Sequence, residues 1–449
     1  MLREKQIGGE NMQINKLKVK NFRCYEDMEI DFDPRLTVIV GENGKGKTAI
    51  FDAIAMGLEP YLQSLGVEGR RIGVKDVRRV PEYKEDGVHI ERMVNQYPLE
   101  ITLTGETSGK TVSCTKTMHE DGSVTVRASG MIEGAASLRD KLAKHEDIVL
   151  PAFAYYGTAR IWADSSLMAD YDTSLEKREI GYKECMEPSS SYNNFGTWFE
   201  HVSRCAQQEH KVAEELQRHQ MVKNAIQRAI DTCLQSTGFH DLYYNFQLGA
   251  FVINHPDMGE MLVDDLSDGF RSVLSMVADL AYRMVRLNPQ LGENAVVETP
   301  GLVLVDEIDM HLHPAWQQTV LLDVQRAFPL VQFIVTTHSP QVLSSVPAES
   351  IRVLMWGRHF EGVRRVSFAM GATSTQILQD IQNVGLRAES LPIVQDLKRY
   401  LNLVSQDKWD TPEALALRKR LDAWAKGNEP ALLRADMDIR MRQFRRKRS

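Results

Sequence analysis

Eight residues, Gly41-Glu42-Asn43-Gly44-Lys45-Gly46-Lys47-Thr48, carry what is needed to hold a polyphosphate. They fit G-x-x-x-x-G-K-[ST] and lie between the apolar run Leu36–Val40 and a predicted helix starting near Gly46, the setting this motif requires. Glycine lets the backbone curl until successive N–H groups, here those from Asn43 through Gly46, face one anion. The helix N-terminus adds the positive end of its dipole. Lys47 would reach the β- and γ-phosphates of ATP, and the Thr48 hydroxyl would ligate Mg²⁺. Far downstream, Gly301-Leu302-Val303-Leu304-Val305 ends in Asp306-Glu307. In a phosphate-loop protein Asp306 would hold the Mg²⁺ and Glu307 would polarise the attacking water. His338 ends a second apolar strand, Phe333–Thr337, where it could sense the γ-phosphate.

Two further segments admit more than one chemistry. Leu266-Ser267-Asp268-Gly269-Phe270 precedes an amphipathic helix. Ser267 is an N-cap type, and Gly269 lets N–H groups approach an anion, so the segment reads as a plain cap or as a second anion site. A second site in a chain with one phosphate loop makes sense if it serves a neighbouring molecule's nucleotide. His311 and His313 could be taken for a metal pair, but no cysteine or further histidine follows at zinc spacing.

The elements that must position these groups show in the periodicity. Met12–Val19 and Met28–Phe32 alternate as strands, and Leu36–Val40 is a run typical of a strand buried on both faces. Residues 99–103 and 112–116 also alternate, and Asp121-Gly122 signals a hairpin turn. A buried strand is expected over 149–156, a polar loop over 164–195, and a charged helix over 199–234. Strand and turn return over 242–263. Helix 270–287, strand 302–305, helix 314–328 and strand 331–336 then follow in the order of a parallel sheet. From 370 onward the pattern is helical. Leu391, Val394, Leu397, Leu401 and Val404 form one helix face, open to packing on the chain's own head or in a partner's groove. The expected parts are an N-terminal lobe (12–160), a helical insertion (161–240), a C-terminal lobe (241–369) and a helical C-terminal region with a basic tail (370–449).

The composition restricts the classes. The chain has 449 residues, 43% hydrophobic and 26% charged, with a net charge of -7. That is ordinary for a globular protein and argues against whole-surface binding to nucleic acid. A local basic patch stays open: Arg440, Arg442, Arg445, Arg446, Lys447 and Arg448 fall in the last ten residues. The five cysteines are dispersed, no apolar run could span a bilayer, and the N-terminus has no apolar leader, so a cytoplasmic protein is expected.

Together and in this order, the motifs resemble the ABC-type ATPase heads of the SMC, Rad50, RecF and OLD group. Gly41–Thr48 matches Walker A and Leu302–Glu307 matches Walker B. Ile308–Pro314 matches the D-loop and His338 the switch histidine. Leu266–Phe270 matches the signature, with Asp268 and Phe270 departing from L-S-G-G-Q. The resemblance implies an α/β P-loop head with an N-terminal antiparallel β subdomain. It also implies ATP and Mg²⁺ as cofactors and a dimer in which Ser267 and Gly269 reach the other copy's nucleotide. Arg23, in Lys20-Asn21-Phe22-Arg23, is similar to a basic residue that some members place near the γ-phosphate. The Q-loop falls at Gln96 or within Tyr155–Arg160. Short arms, the segment Asp306–Pro314 and the helical C-terminus more narrowly resemble the PtuA ATPases of Septu and retron-associated antiphage defence. Those ATPases assemble with a separate HNH-type nuclease. No apolar strand ending in D-x-D follows His338, so a nuclease within this chain is not expected. The rivals are a RecF-like DNA-repair ATPase that binds DNA without a nuclease, and an ATP-gated scaffold with little turnover.

Overall fold

The computed structural model describes residues 12–84, 90–107, 109–158, 178–188, 196, 199–201, 203–204 and 213–446. They divide into two compact units, 1–377 and 378–449.

The first unit is built on two sheets. Strands β1 (Met12–Phe22), β2 (Tyr25–Asp31), β6 (Leu99–Thr107), β7 (Lys110–Met118) and β8 (Val124–Arg127) form an antiparallel sheet in the order β2-β1-β6-β7-β8. Alternation along β1 buries Met12, Ile14, Leu17 and Val19 and leaves Lys16, Lys18 and Lys20 outside. The second sheet runs β16-β15-β3-β14-β13-β9, and every pairing in it is parallel except that of the edge strand β16 with β15. Its members are β3 (Leu36–Val40), β9 (Ala152–Tyr156), β13 (Gly301–Val305), β14 (Val331–Thr336), β15 (Ile351–Trp356) and β16 (Phe360–Arg365). Strands β3, β9, β13 and β14 are buried along their whole length, as expected when both faces of a sheet are covered.

One side chain stitches the sheets together. Gln332 on β14 donates to the Ile14 carbonyl (2.8 Å) and accepts from the Ile14 N–H (3.0 Å). The register of β1 on β6 shifts between Ile14 and Lys16, beside that clamp. The unit's longer described helices are α1 (Lys47–Ser64), α2 (Ser129–Ala143), α3 (Ala213–Leu234), α4 (Asp268–Leu287) and α5 (Val320–Ala327). A three-stranded sheet, β10 (His240–Asn245), β11 (Ala250–His255) and β12 (Gly259–Leu262), and the hairpin β4 (Arg79–Tyr83) and β5 (Ile90–Asn95) stand apart.

The structure differs from the periodicity in several places. The helix expected over 314–328 is two pieces, Pro314–Gln317 and Val320–Ala327, separated by a turn in which Thr319 N–H bonds the Trp316 carbonyl. Helix α2 and the pair β15/β16 were not anticipated; the buried half of α2 is only Met131, Ala135 and Leu138. Of the expected loop 164–195, only 178–188 is described, and it opens with a short 3₁₀ turn, Arg178–Tyr182. Most of 199–212 also lies outside the described residues.

The second unit holds α6 (Pro392–Ser405), α7 (Pro412–Ala425) and α8 (Pro430–Arg446). Val394, Leu397 and Val404 are buried, while Leu391 is exposed. Leu397 and Val404 pack with Tyr400, Leu417, Leu421 and Leu432. Leu397, Leu401 and Val404 of the stripe read as packing on the head or a partner therefore belong to the unit's own core, whereas Leu391 does not. Arg418 ties the three helices together, donating to Asp436 (2.9 Å) and to the Tyr400 hydroxyl (3.2 Å). No helix among the described residues is long and apolar enough to cross a membrane.

Candidate nucleotide site

The mouth of the site lies at the C-terminal ends of β3, β13 and β14, where an open parallel sheet presents its ligand crevice. The chain leaves β3 at Val40 and enters α1 at Lys47, with Gly44 (φ 75) and Gly46 (φ 86) in the left-handed region. At Gly46 the requirement is double. A Cβ there would also stand 2.6 Å from both Cys24 Sγ and the Tyr25 hydroxyl. Asn43 and Gly44 are exposed at the crest. The Lys45 ammonium lies 5.4 Å from the Trp356 ring centroid.

Lys47 is only 6% exposed. Its ammonium donates to the carbonyls of Gly41 (2.8 Å) and Glu42 (3.2 Å) and stands 2.6 Å from His338 Nε2. An ammonium can only donate, so that ring nitrogen accepts. Burial pushes the Lys47 pKa down, opposed by the carboxylates of Glu307, Asp306 and Asp309. Burial, then the Lys47 charge, pushes His338 below the ordinary histidine range, which favours the neutral ring.

Thr48 donates to Asp306 Oδ2 at 2.7 Å, joining the first turn of α1 to the end of β13. The other Asp306 oxygen accepts from Thr336 Oγ1 (2.6 Å), which in turn accepts from the Glu307 N–H (2.7 Å). Thr336 on β14 thus orients both acidic residues. Glu307 itself sits at φ 49, left-handed for a non-glycine residue and held there by these contacts. One residue on, Thr337 donates to Asp309 (2.5 Å) and accepts from the Ser339 N–H (2.9 Å). These two threonines went unread in the sequence; their signal was two hydroxyls at the end of an apolar strand, immediately before His338.

Arg23 has a different surrounding. Its guanidinium donates to Asp76 (2.8 and 3.0 Å) and to Asp52 on α1. Asp52 also pairs with Arg70 (2.6 Å) and accepts from the Tyr155 hydroxyl (3.4 Å).

The end of β9 lies next to the acidic pair, since the Asp306 N–H donates to the Tyr156 carbonyl (2.8 Å). Successive side chains there face opposite sides of the sheet. Tyr155 meets Asp52 of α1, whereas Tyr156 donates to Asp279 of α4 (2.7 Å), which is paired with the buried Arg283. Gln96 lies elsewhere, its N–H on the Arg78 carbonyl. Of the other Q-loop candidate, Ala159 and Arg160 lie outside the described residues.

Ser267 caps α4, accepting from the Phe270 N–H (3.4 Å). Ser267 and Asp268 are exposed, while Gly269 is buried. A Cβ on Gly269 would stand 2.2 Å from the His311 carbonyl oxygen, so the start of α4 lies directly on the 308–314 loop. Phe270 packs between Phe239 (4.5 Å) and Trp316 (5.5 Å), which accounts for an aromatic residue at that position. His313 caps the helix at Pro314, its Nδ1 accepting from the Ala315 N–H.

The structure thus brings Lys47, Thr48, Asp306, Glu307 and His338 to one mouth. It leaves Arg23 in its own carboxylate cluster and sets Ser267 and Gly269 on the 308–314 loop.

Known proteins resemble the chain at several levels. A family model described as an AAA domain matches residues 16–236. Retron Ec83 probable ATPase of Escherichia coli is 25% identical over 98% of this chain and 89% of its own length. Septu protein PtuA of Bacillus mycoides is 23% identical over 77% of this chain, but over only 41% of its own length. Among solved structures, an SMC head bound to the C-terminal winged-helix domain of ScpA covers 79% of this chain at 18% identity and a TM-score of 0.47.

Proposed function

We propose that this chain, an ATPase of the SMC, Rad50 and RecF type related to PtuA, is a nucleotide-gated head that dimerises around ATP and regulates a separate HNH-type nuclease in antiphage defence. The observation that carries the ATP reading is the convergence at one mouth of a buried ammonium, a hydroxyl, two carboxylates and an imidazole. The groups at the mouth fit Mg·ATP: Thr48 and Asp306 offer hard oxygens 2.7 Å apart, beside Lys47. Mg²⁺ held by Thr48 and Asp306 would supply charge neutralisation at the phosphate oxygens.

The chain's own residues do the rest. Backbone N–H groups from Asn43 to Gly46 cradle the phosphates, and Lys47 turns from its loop carbonyls to the β- and γ-phosphates. Glu307, pinned through Thr336, orients the attacking water and accepts its proton. His338, released from Lys47, donates to the γ-phosphate once it carries a proton on Nε2. Ser267, exposed at the start of α4, faces the nucleotide of a second copy, Gly269 seats that turn on the 308–314 loop, and Arg23 steadies the first turns of α1 through Asp52. Retron and Septu relatives support the defence reading, and the expected HNH-type nuclease supplies chemistry on nucleic acid.

The test pairs two variants. Lys47→Ala removes a charge-assisted phosphate contact of ~1.5–3 kcal/mol, so calorimetry should show ATP affinity falling at least ~10-fold. Glu307→Gln should keep ATP binding, abolish turnover and raise the molecular mass by light scattering in ATP. Unchanged affinity in the first variant, or wild-type turnover in the second, refutes the assignment.

A further inference from the structure

Where β13 and β14 end, their backbone ladder stops at Val305 and Val335, and side chains take over the link between the segments that follow. β13 runs into the 308–314 loop, and β14 into Thr337, His338 and Ser339. Two contacts join these segments. Thr337 donates to the Asp309 carboxylate (2.5 Å). The second contact runs through Gln317, at the end of the short helix Pro314–Gln317. The Ser339 hydroxyl donates to Gln317 Oε1 (2.7 Å), the nearer of two amide oxygens it faces. Gln317 Nε2 donates in turn to the carbonyls of Leu312 (2.9 Å) and Asp309 (3.4 Å). Two carbonyl oxygens need a donor, so the amide has one orientation, and its oxygen is left to accept from Ser339.

Each end of this bridge is itself fixed. Ser339 is 5% exposed and caps the turn after it, accepting from the N–H groups of Gln341 and Val342. On the loop side Asp309 is gripped twice, at its carboxylate by Thr337 and at its carbonyl by Gln317. His311 lies between the two carbonyls that Gln317 holds. It sits at φ 61, a left-handed conformation that a residue with a side chain keeps only where contacts impose it. Its own carbonyl oxygen is the atom that a Cβ on Gly269 would meet at 2.2 Å. The bridge therefore runs from the residue after His338 to the turn that seats the start of α4. Thr337 alone would tie the loop to β14. A second tie on the other side of His338 makes residues 337–339 and 309–312 move as one piece, so a displacement of His338 reaches the loop from both flanks.

We propose that Gln317 is a positioning residue that transmits the displacement of His338 to the 308–314 loop and to the Ser267 end of α4. This rests on the reading of His338 as the group that meets the γ-phosphate. The full-length chain is compared with Gln317→Met, which keeps the length of the side chain and deletes both polar ends, with Ser339→Ala, and with the double variant. Turnover is divided by the number of nucleotide sites counted by calorimetry, so that unfolded protein does not register as slow protein. Gln317→Met should lower kcat roughly 10-fold, the scale of one or two lost hydrogen bonds, while Kd for Mg·ATP stays within about 2-fold, since Lys47, Thr48 and Asp306 are untouched. Ser339→Ala should also lower kcat, and the double variant should be no slower than the slower single, because both delete one bridge. Gln317→Glu, which keeps an acceptor for Ser339 but sets a carboxylate against two carbonyls, should be as slow as Gln317→Met. A wild-type kcat in Gln317→Met overturns the relay, and so does a double variant whose two losses multiply. His338→Ala separates this from the reading beneath it. If that variant turns over at the wild-type rate, the role of His338 fails and the relay with it; if it is slow while Gln317→Met is not, the relay alone fails.

Discussion

At the scale of single residues, the site depends on hydroxyls as much as on its charged groups. Thr336 spans Asp306 and the Glu307 N–H. Thr336→Val keeps the shape but removes two hydrogen bonds, a loss of about 1–3 kcal/mol. Turnover should fall with little change in ATP affinity, read as a kcat effect at constant KM, because Lys47 and Thr48 are untouched. His338 yields a pH prediction. Its folded pKa is depressed, so below the ordinary histidine pKa the unfolded chain binds more protons than the folded one. Stability from this group is therefore full above that pKa and is lost as pH falls toward the folded value. In urea titrations of the nucleotide-free protein, the drop in midpoint between pH 8 and pH 5.5 should be smaller in His338→Asn than in wild type.

At the scale of elements, close backbone approach and strand ends decide what moves together. Gly269 brings α4 onto the 308–314 loop, and a Cβ there meets a carbonyl that cannot swing aside as a flexible side chain could. Gly269→Ala should cost about 1–3 kcal/mol by overpacking and should lower the melting temperature. Ser267→Ala, which deletes one cap bond, should cost about 1 kcal/mol. A larger effect for Ser267→Ala would refute the tight contact. Strand β9 links both helices of the site through adjacent tyrosines, Tyr155 to Asp52 and Tyr156 to Asp279.

At the scale of the whole molecule, the prediction concerns division of labour. If chemistry on nucleic acid resides in a partner, the isolated chain should not nick plasmid DNA with Mg²⁺ or Mn²⁺, with or without ATP. Nicking should appear when the nuclease is added. Cutting by the isolated chain that survives both Glu307→Gln and His338→Ala would show a second active site here.

Local sequence was enough to single out Gly41–Thr48, Asp306-Glu307 and His338 as the candidate site, because each is a short pattern at the end of a strand whose apolar run declares its burial. A parallel sheet was legible from the succession of strand 302–305, helix 314–328 and strand 331–336, and the burial of Leu36–Val40 from its apolar run. Only tertiary structure decided which side chains meet. Thr336 lies 30 residues from Asp306, and Lys47 lies 291 from His338. No local pattern encodes such pairings, since they arise from the order in which strands lie side by side. The stripe Leu391–Val404 shows the same limit. Periodicity says that a helix face is apolar, but whether it covers a head, a partner or its own neighbouring helices depends on what folds against it, here α7 and α8.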